Sequence, residues 1–403
     1  MIQRTVSFLS RLNFMLCINE GGLIVDFKLS KEQKMVKQAA SRFATEVCEP
    51  IAEEIDREHR FPWETFKLLT KYGFVGTGFP EEYGGTGDDR IAQLIIVEEI
   101  AKVCAATSAI LSIHQAAANC INIFGNDKQK ENYLPQLLCD GVVGAFALTE
   151  PNAGSDASNV QTTAVEDGDS YILNGTKCFI SNAGAADIYI VLAMTEPEKK
   201  TRGITAFIVT SDMPGFSIGK IEDKMGICAS KTGELIFDDV RVPKENILGK
   251  YNKGFKVALV GIDYSRVLVV GAQSLGLAEG AFEKAVEYSK ERKQFGKPVS
   301  RQQGLQWYLA EMATKIEATK WMTYHAAQKI QNGERFTKEA AMVKYYSSEM
   351  ARFVTERALQ IHGGYGFMKD YPLERMYRDA KVFEIYEGTN EIQKLVISRM
   401  ILK

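Results

Sequence analysis

The chain has 403 residues, enough for two or three packed domains rather than one small core. Its 49 basic and 51 acidic residues leave a net charge of −2, which offers no electrostatic footprint for a polyanion and argues against nucleic acid as the main partner. No apolar run approaches the ~20 residues a membrane span requires, and no repeat or low-complexity segment stands out.

Residues 1–25 read as an extension outside the fold. Arg4 and Arg11 accompany Thr5, Ser7 and Ser10, and no acid precedes Glu20, a composition that suits a mitochondrial targeting peptide. A bacterial reading is preferred. Glu20-Gly21-Gly22 is what a purine-rich ribosome-binding site encodes when translated, and Val25 stands where a GTG start codon would fall. Translation is then expected to begin at Val25 in a cytoplasmic protein, with the mitochondrial matrix as the alternative. Gly or Val codons incompatible with GGAGG and GTG would overturn this.

From Ser30, spaced with Gln33 as a capping box, helical patterns cover about 31–56, 63–72, 88–105, 108–124 and 127–139. They make an α-helical first domain over 26–142. Between 143 and 246 the period changes to two: Val160 to Val165, Tyr171 to Leu173, Ile188 to Leu192, Ile204 to Val209 and Leu235 to Phe237 predict short strands. Asp167-Gly168, Asn174-Gly175 and Met213-Pro214-Gly215 separate them as turns, so a small antiparallel β domain is expected. After Gly254 the helical period returns, with Leu305, Leu309, Met312 and Ile316 on one face and Ala340, Val343, Met350, Val354, Ala358 and Ile361 on another. This predicts a C-terminal four-helix bundle over 247–403 and an α+β multidomain protein in the order α, β, α.

The seven cysteines (Cys17, Cys48, Cys104, Cys120, Cys139, Cys178, Cys228) are odd in number and form no CxxC pair, as suits a reducing compartment. His59, His114, His325 and His362 show no metal-ligand spacing, so no metal site is predicted. His114 and His325 fall in helical patterns and read as packed or hydrogen-bonded side chains.

Three segments carry candidate chemistry. Phe146 to Asp156 joins the first two domains with small and hydroxyl residues that could set backbone N–H groups against a phosphate, or simply cap a turn. Gln360-Ile361-His362-Gly363-Gly364-Tyr365-Gly366-Phe367 ends a long helix. Its glycines permit close approach to a ligand, and they equally suit a helix C-cap. Phe383 to Glu391 places Glu387 between Tyr386 and Gly388 ahead of the last helix. Burial there would raise a carboxyl pKa toward that of a general base, although an acid in such a turn also complements the helix dipole.

Taken together, these segments resemble the acyl-CoA dehydrogenase family of flavoproteins. The similarity runs in consistent order from about Phe27 to Lys403: Ala147 to Ser158 match its first signature, Gln360 to Asp379 its second, and Tyr386 to Thr389 its catalytic loop. The resemblance implies FAD between the β domain and the bundle. Phe146, Leu148, Thr149, Gly154 and Ser155 would line it, and Phe179 and Ser181 would flank the isoalloxazine. Arg292, Gln294, Phe295, Gln303, Gln360, Gly363 and Gly364 match positions that reach the FAD of a neighbouring subunit, so a homotetramer or at least a dimer is expected. Thr389 and Glu391 match positions that close over the cofactor. Ser155, Asp263, Arg266 and Gly388 match substrate contacts, although a helix-face salt bridge would equally explain Asp263 and Arg266.

The implied reaction is α,β-dehydrogenation of an acyl-CoA thioester to the trans-2-enoyl-CoA. Glu387 would be the α-proton base, hydride would go to flavin N5, and an electron-transfer flavoprotein would take the electrons. One family branch supplies its base from another helix, where this chain has Ser265, so Glu387 is the expected base. A short or short branched acyl chain is favoured, and Thr107 stands where glutaryl-specific members carry arginine. Cys228 replaces a usual arginine, which puts a local polar contact in doubt. The alternatives are an oxidase-like relative using O₂ and a non-catalytic flavoprotein or assembly partner; the presence of Glu387 argues against the last.

Overall fold

A computed structural model describes residues 28–402; the expectations for residues 1–25 lie outside them. The first helix, α1 (Lys31–Phe43), begins with the capping box its sequence announces. Ser30 Oγ accepts from Gln33 N at 3.1 Å, and Gln33 Oε1 accepts from Ser30 N at 3.0 Å. The helix expected to continue to residue 56 instead passes through a π-turn (Ala44–Cys48) and a 3₁₀ turn (Glu49–Ile51) before α2 (Ala52–Arg57), because Pro50 has no N–H to give the ladder. There follow α3 (Trp63–Lys71), α4 (Arg90–Ala101), α5 (Ala105–Phe124) and α6 (Asp127–Leu138). Asp89 caps α4 and also accepts from Gln33, so one glutamine ties two helix starts together.

The middle segment is one sheet of eight strands: β1 (Gly144–Ala147), β2 (Thr163–Asp167), β3 (Ser170–Ser181), β4 (Ile188–Met194), β5 (Ile204–Thr210), β6 (Phe216–Ile221), β7 (Thr232–Pro243) and β8 (Ile247–Leu248). The order is β6-β7-β3-β2-β4-β5-β8, with β1 added beside β4. The purely antiparallel expectation is corrected. β1 runs parallel to β4 from Gly144 opposite Ile188 to Ala147 opposite Val191, and β2 meets β4 in parallel at Thr163 opposite Met194. Every residue of β4 is buried, as a strand covered on both faces requires. The strand expected at Val160 starts later, at Thr163, since the Glu150 carboxylate takes the Gln161 and Thr162 N–H groups out of the ladder.

The C-terminal segment opens with α7 (Gly254–Ser265), which continues through a π-turn (Arg266–Gly271) into α8 (Ala272–Glu291). A small hairpin of β9 (Lys293–Gln294) and β10 (Lys297–Pro298) leads to α9 (Gln303–Gln331), α10 (Thr337–His362), α11 (Leu373–Ala380) and α12 (Asn390–Ile401). The α10 stripe of Ala340, Val343, Met350, Val354, Ala358 and Ile361 is buried throughout, as its spacing predicts. Helix α10 packs on α8, α9 and α12, which makes the expected bundle.

Where α4 meets the bundle, the carboxylates of Glu98, Glu99 and Glu279 converge within 4.8 Å. Lysines neutralise the cluster: Lys102 lies 2.9 Å and Lys320 3.0 Å from Glu279, and Lys37 lies 3.1 Å from Glu99. Tyr324 donates to Glu98 at 2.8 Å. Burial, with Glu279 nearby, pushes the Glu98 carboxyl from 4.5 up to about 7. A carboxyl raised on folding contributes stability that is complete below its unfolded pKa and lost as pH rises through the folded one. Wild-type protein is therefore expected to lose melting temperature as pH rises from 4.5 to about 7, and Glu98→Gln to show a flatter profile in scanning calorimetry. Equal slopes would exclude Glu98 as the source.

Candidate active site

The site is assembled around the link between α11 and α12. Glu387 holds a left-handed backbone (φ 55°), followed by Gly388 at φ 84°, a pairing that costs about 1–3 kcal/mol for a non-glycine residue unless its surroundings enforce it. They do so here. Arg266 Nε donates to Glu387 O at 3.1 Å, and Gln393 Nε2 donates to Glu387 O at 3.2 Å and Gly388 O at 2.8 Å. At φ 84° Gly388 holds a backbone that favours glycine, and a Cβ there would also press on Gln393 Nε2 at 2.8 Å and Arg266 Nη2 at 3.3 Å. Thr389 Oγ1 caps α12 by accepting from Ile392 N.

Electrostatics mark Glu387 out. Burial pushes its carboxyl from 4.5 up to about 7, against the pull of Arg266 and Lys344. The nearby Cys120 thiol on α5 is raised to about 12 by burial and by the Glu387 charge. Arg266 itself is buried and paired with Asp263 at 2.7 Å. Tyr386 donates to Gln273 on α8, which in turn donates to Ser112 on α5 at 2.7 Å, so a chain of polar contacts runs from the loop through α8 to α5.

A second group lies on the sheet. Between Lys177 and Ile180, β3 carries one more residue than the β7 segment from Leu235 to Gly233, and at this bulge Phe179 stands at φ 57° and is 64% exposed. Cys178 N donates to Thr149 O at 3.0 Å, which sets Leu148 and Thr149 against the bulge, with Phe146 on β1 and Ser181 at the end of β3. A buried ion pair stands behind them. Lys177 Nζ contacts Glu150 Oε1 at 2.7 Å and Leu148 O at 3.1 Å. Burial lowers the Lys177 ammonium to about 8, while Lys177 and the loop N–H groups hold the Glu150 carboxyl below its usual value despite burial. Gly154 and Ser155 are exposed at the loop tip.

The third group surrounds a cleft of about 450 Å³ lined in part by Arg292, Gln294, Gly363 and Gly364. The Arg292 guanidinium sits 5.5 Å from the Tyr365 ring centroid. Phe295 is 92% exposed, and Gln303 and Gln360 are exposed on α9 and α10.

The acyl-CoA dehydrogenase N-terminal, middle and C-terminal domain families match residues 30–140, 145–240 and 252–402. The chain belongs to the acyl-CoA dehydrogenase family. It is 55% identical over 381 residues to an acryloyl-CoA reductase (NADH) of Anaerotignum propionicum, covering 94% of this chain and 96% of the relative. A chain in the structure described as the electron transferring flavoprotein of Acidaminococcus fermentans superposes with a TM-score of 0.93 at 49% identity, covering 94% and 100%. The butyryl-CoA dehydrogenase of Megasphaera elsdenii gives 0.92 at 46%, with the same coverage.

The acyl-CoA dehydrogenase family consists of FAD-dependent oxidoreductases. The residues present fit that cofactor: an exposed aromatic stands on a strained bulge, and Cβ atoms at Gly154, Gly363 and Gly364 would meet nothing within 4 Å, leaving the backbone open to close approach. The doubt over Cys228 is answered locally. Its thiol donates to Lys224 O at 3.3 Å, and Arg378 supplies a cation there, bound to Met225 O at 3.0 Å and Asp56 at 2.7 Å.

Reading the residues in order misses Lys344, Gln273, Gln393 and the Glu150–Lys177 pair. Lys344 alone left a signal, as a charged residue between Ala340 and Ser348 on the buried stripe of α10.

Proposed function

We propose that the protein interconverts a short-chain acyl-CoA and its trans-2-enoyl-CoA, with Glu387 as the group that exchanges the α-proton. The observation that carries this reading is the Glu387 backbone, held in a left-handed turn by Arg266 and Gln393, where desolvation raises its carboxyl toward neutrality. A carboxyl poised near neutrality can take a proton from carbon in one direction and return it in the other. The family's FAD, when bound, supplies the acceptor for the hydride leaving the β-carbon.

The remaining roles are those the family resemblance implies. The Glu387 N–H would polarise the thioester carbonyl, acidifying the α-proton. Arg266, held by Asp263, keeps the Glu387 carbonyl turned away, so the carboxylate faces the substrate; Gly388 and Ser155 would border the thioester. Phe146, Leu148, Thr149, Gly154, Ser155, Phe179 and Ser181 would hold the flavin of the same chain, with Thr389 and Glu391 closing over it. Arg292, Gln294, Phe295, Gln303, Gln360, Gly363 and Gly364 would hold that of a second copy in a homotetramer. The similarity to the chain in the A. fermentans structure supports an electron-transfer flavoprotein as partner. The acryloyl-CoA and butyryl-CoA enzymes support a short acyl group, the former also the reductive direction.

The test is turnover by the FAD-containing protein of a series from propionyl-CoA to octanoyl-CoA with a dye acceptor, and of the matching enoyl-CoAs with a dye donor. Rates that peak at a short chain are expected. No turnover with any thioester in either direction would overturn the proposal.

A further inference from the structure

Lys344 is fully buried in the N-terminal third of α10, where an apolar side chain would avoid the cost of burying an ammonium. Its Nζ donates to Glu384 O at 3.0 Å and to Asn390 Oδ1 at 2.9 Å. Ser348, one turn on, donates to the same Asn390 oxygen at 3.0 Å. Glu384 and Asn390 lie three residues to either side of Glu387, so one cation grips both ends of the loop.

We propose that Lys344 is a positioning residue for the Glu387 loop, tying its two flanks and placing a second buried cation, beside Arg266, within reach of the carboxylate. The proposal rests on the reading of Glu387 as the proton-exchanging base. Arg266 already neutralises Asp263 and grips the loop only at the Glu387 carbonyl, whereas Lys344 spans it. Charged and titratable groups face the pair from every side: Arg266 and Asp263 from α7 and its π-turn, Cys120 from α5, Glu384 and Tyr386 from the loop, and Glu391 from α12. Burial and the Arg266 charge bring Lys344 down to about 7, close to the value Glu387 reaches from below. Each charge in such a pair favours the other.

The test compares Lys344→Met, Lys344→Arg and Glu387→Gln in the FAD-containing protein, reading melting temperature and the pH dependence of kcat/KM for acyl-CoA oxidation. Lys344→Met removes a cation from the base, so the acidic limb is expected to move about one unit to alkaline pH while kcat falls. Lys344→Arg keeps the charge and should leave the limb near its wild-type place. An unmoved limb in folded Lys344→Met, or an equal shift in both variants, would overturn the proposal. If Lys344→Met does not fold, Asn390→Ala cuts one tie and leaves the charge: a fall in kcat at an unmoved limb supports the clamp, and an unchanged kcat refutes it. Loss of turnover in Glu387→Gln beside an unmoved limb in Lys344→Met removes only the Lys344 role. Turnover retained in Glu387→Gln removes the base reading and the Lys344 role with it.

Discussion

Replacing Glu387 with glutamine is expected to lower kcat on the order of 10³-fold in both directions while leaving the protein folded. The substitution keeps shape and hydrogen-bonding capacity and removes only basicity. The contacts that lock the loop use the Glu387 carbonyl rather than its carboxylate. Arg266 and Gln393 should therefore hold the backbone of Glu387→Gln in its wild-type geometry, and ligand affinity should move little.

The pH dependence gives a second arm. Oxidation needs the carboxylate, so kcat/KM should rise with pH through about 7, where burial has brought the carboxyl. Reduction needs the protonated form, so its kcat/KM should fall through the same value. Initial rates in both directions check this, and a variant that keeps its rate, or two limbs that turn the same way, would exclude Glu387 as the base.

Lys177→Met is expected to produce the largest loss of stability and to strip the protein of FAD. It leaves the Glu150 carboxylate buried opposite an apolar side chain, a change worth roughly 3–5 kcal/mol and a fall in melting temperature of roughly 5–10 °C. The consequence reaches the site because Lys177 also holds Leu148 O, and Glu150 holds the N–H groups of Gln161 and Thr162. Both ends of the loop carrying Thr149, Gly154 and Ser155 therefore hang on one ion pair. The double variant Lys177→Met with Glu150→Leu should recover part of the stability, since no lone charge remains buried. Its recovery should be incomplete, because two loop N–H groups lose their acceptor. Calorimetry and flavin absorbance per protein measure the two effects. An unchanged melting temperature and full FAD content in Lys177→Met would show that the pair does not support the loop.

Much of the architecture is written locally. The capping box at Ser30 and Gln33, the change of period after residue 143 and the apolar stripe of α10 each specify an element through contacts a few residues apart. Departures occur where a distant group intervenes. The strand expected at Val160 begins at Thr163 because the Glu150 carboxylate, eleven residues before Gln161, claims the loop amides. The sheet is mixed rather than antiparallel because β1 and β4, more than forty residues apart, pair in parallel, and alternation of side chains does not record strand direction.

The candidate site divides in the same way. The order of α, β and α segments, the family and Glu387 as the candidate base are all legible along the chain, since they rest on periodicity and on short runs of residue types. What surrounds that carboxylate is set by packing: Arg266 on its carbonyl from 121 residues away, Lys344 on Glu384 and Asn390 from 40 and 46 residues away, and the buried environment that brings it to about 7. Desolvation and charge depend on which groups the folded chain brings together, and no spacing along the chain encodes them.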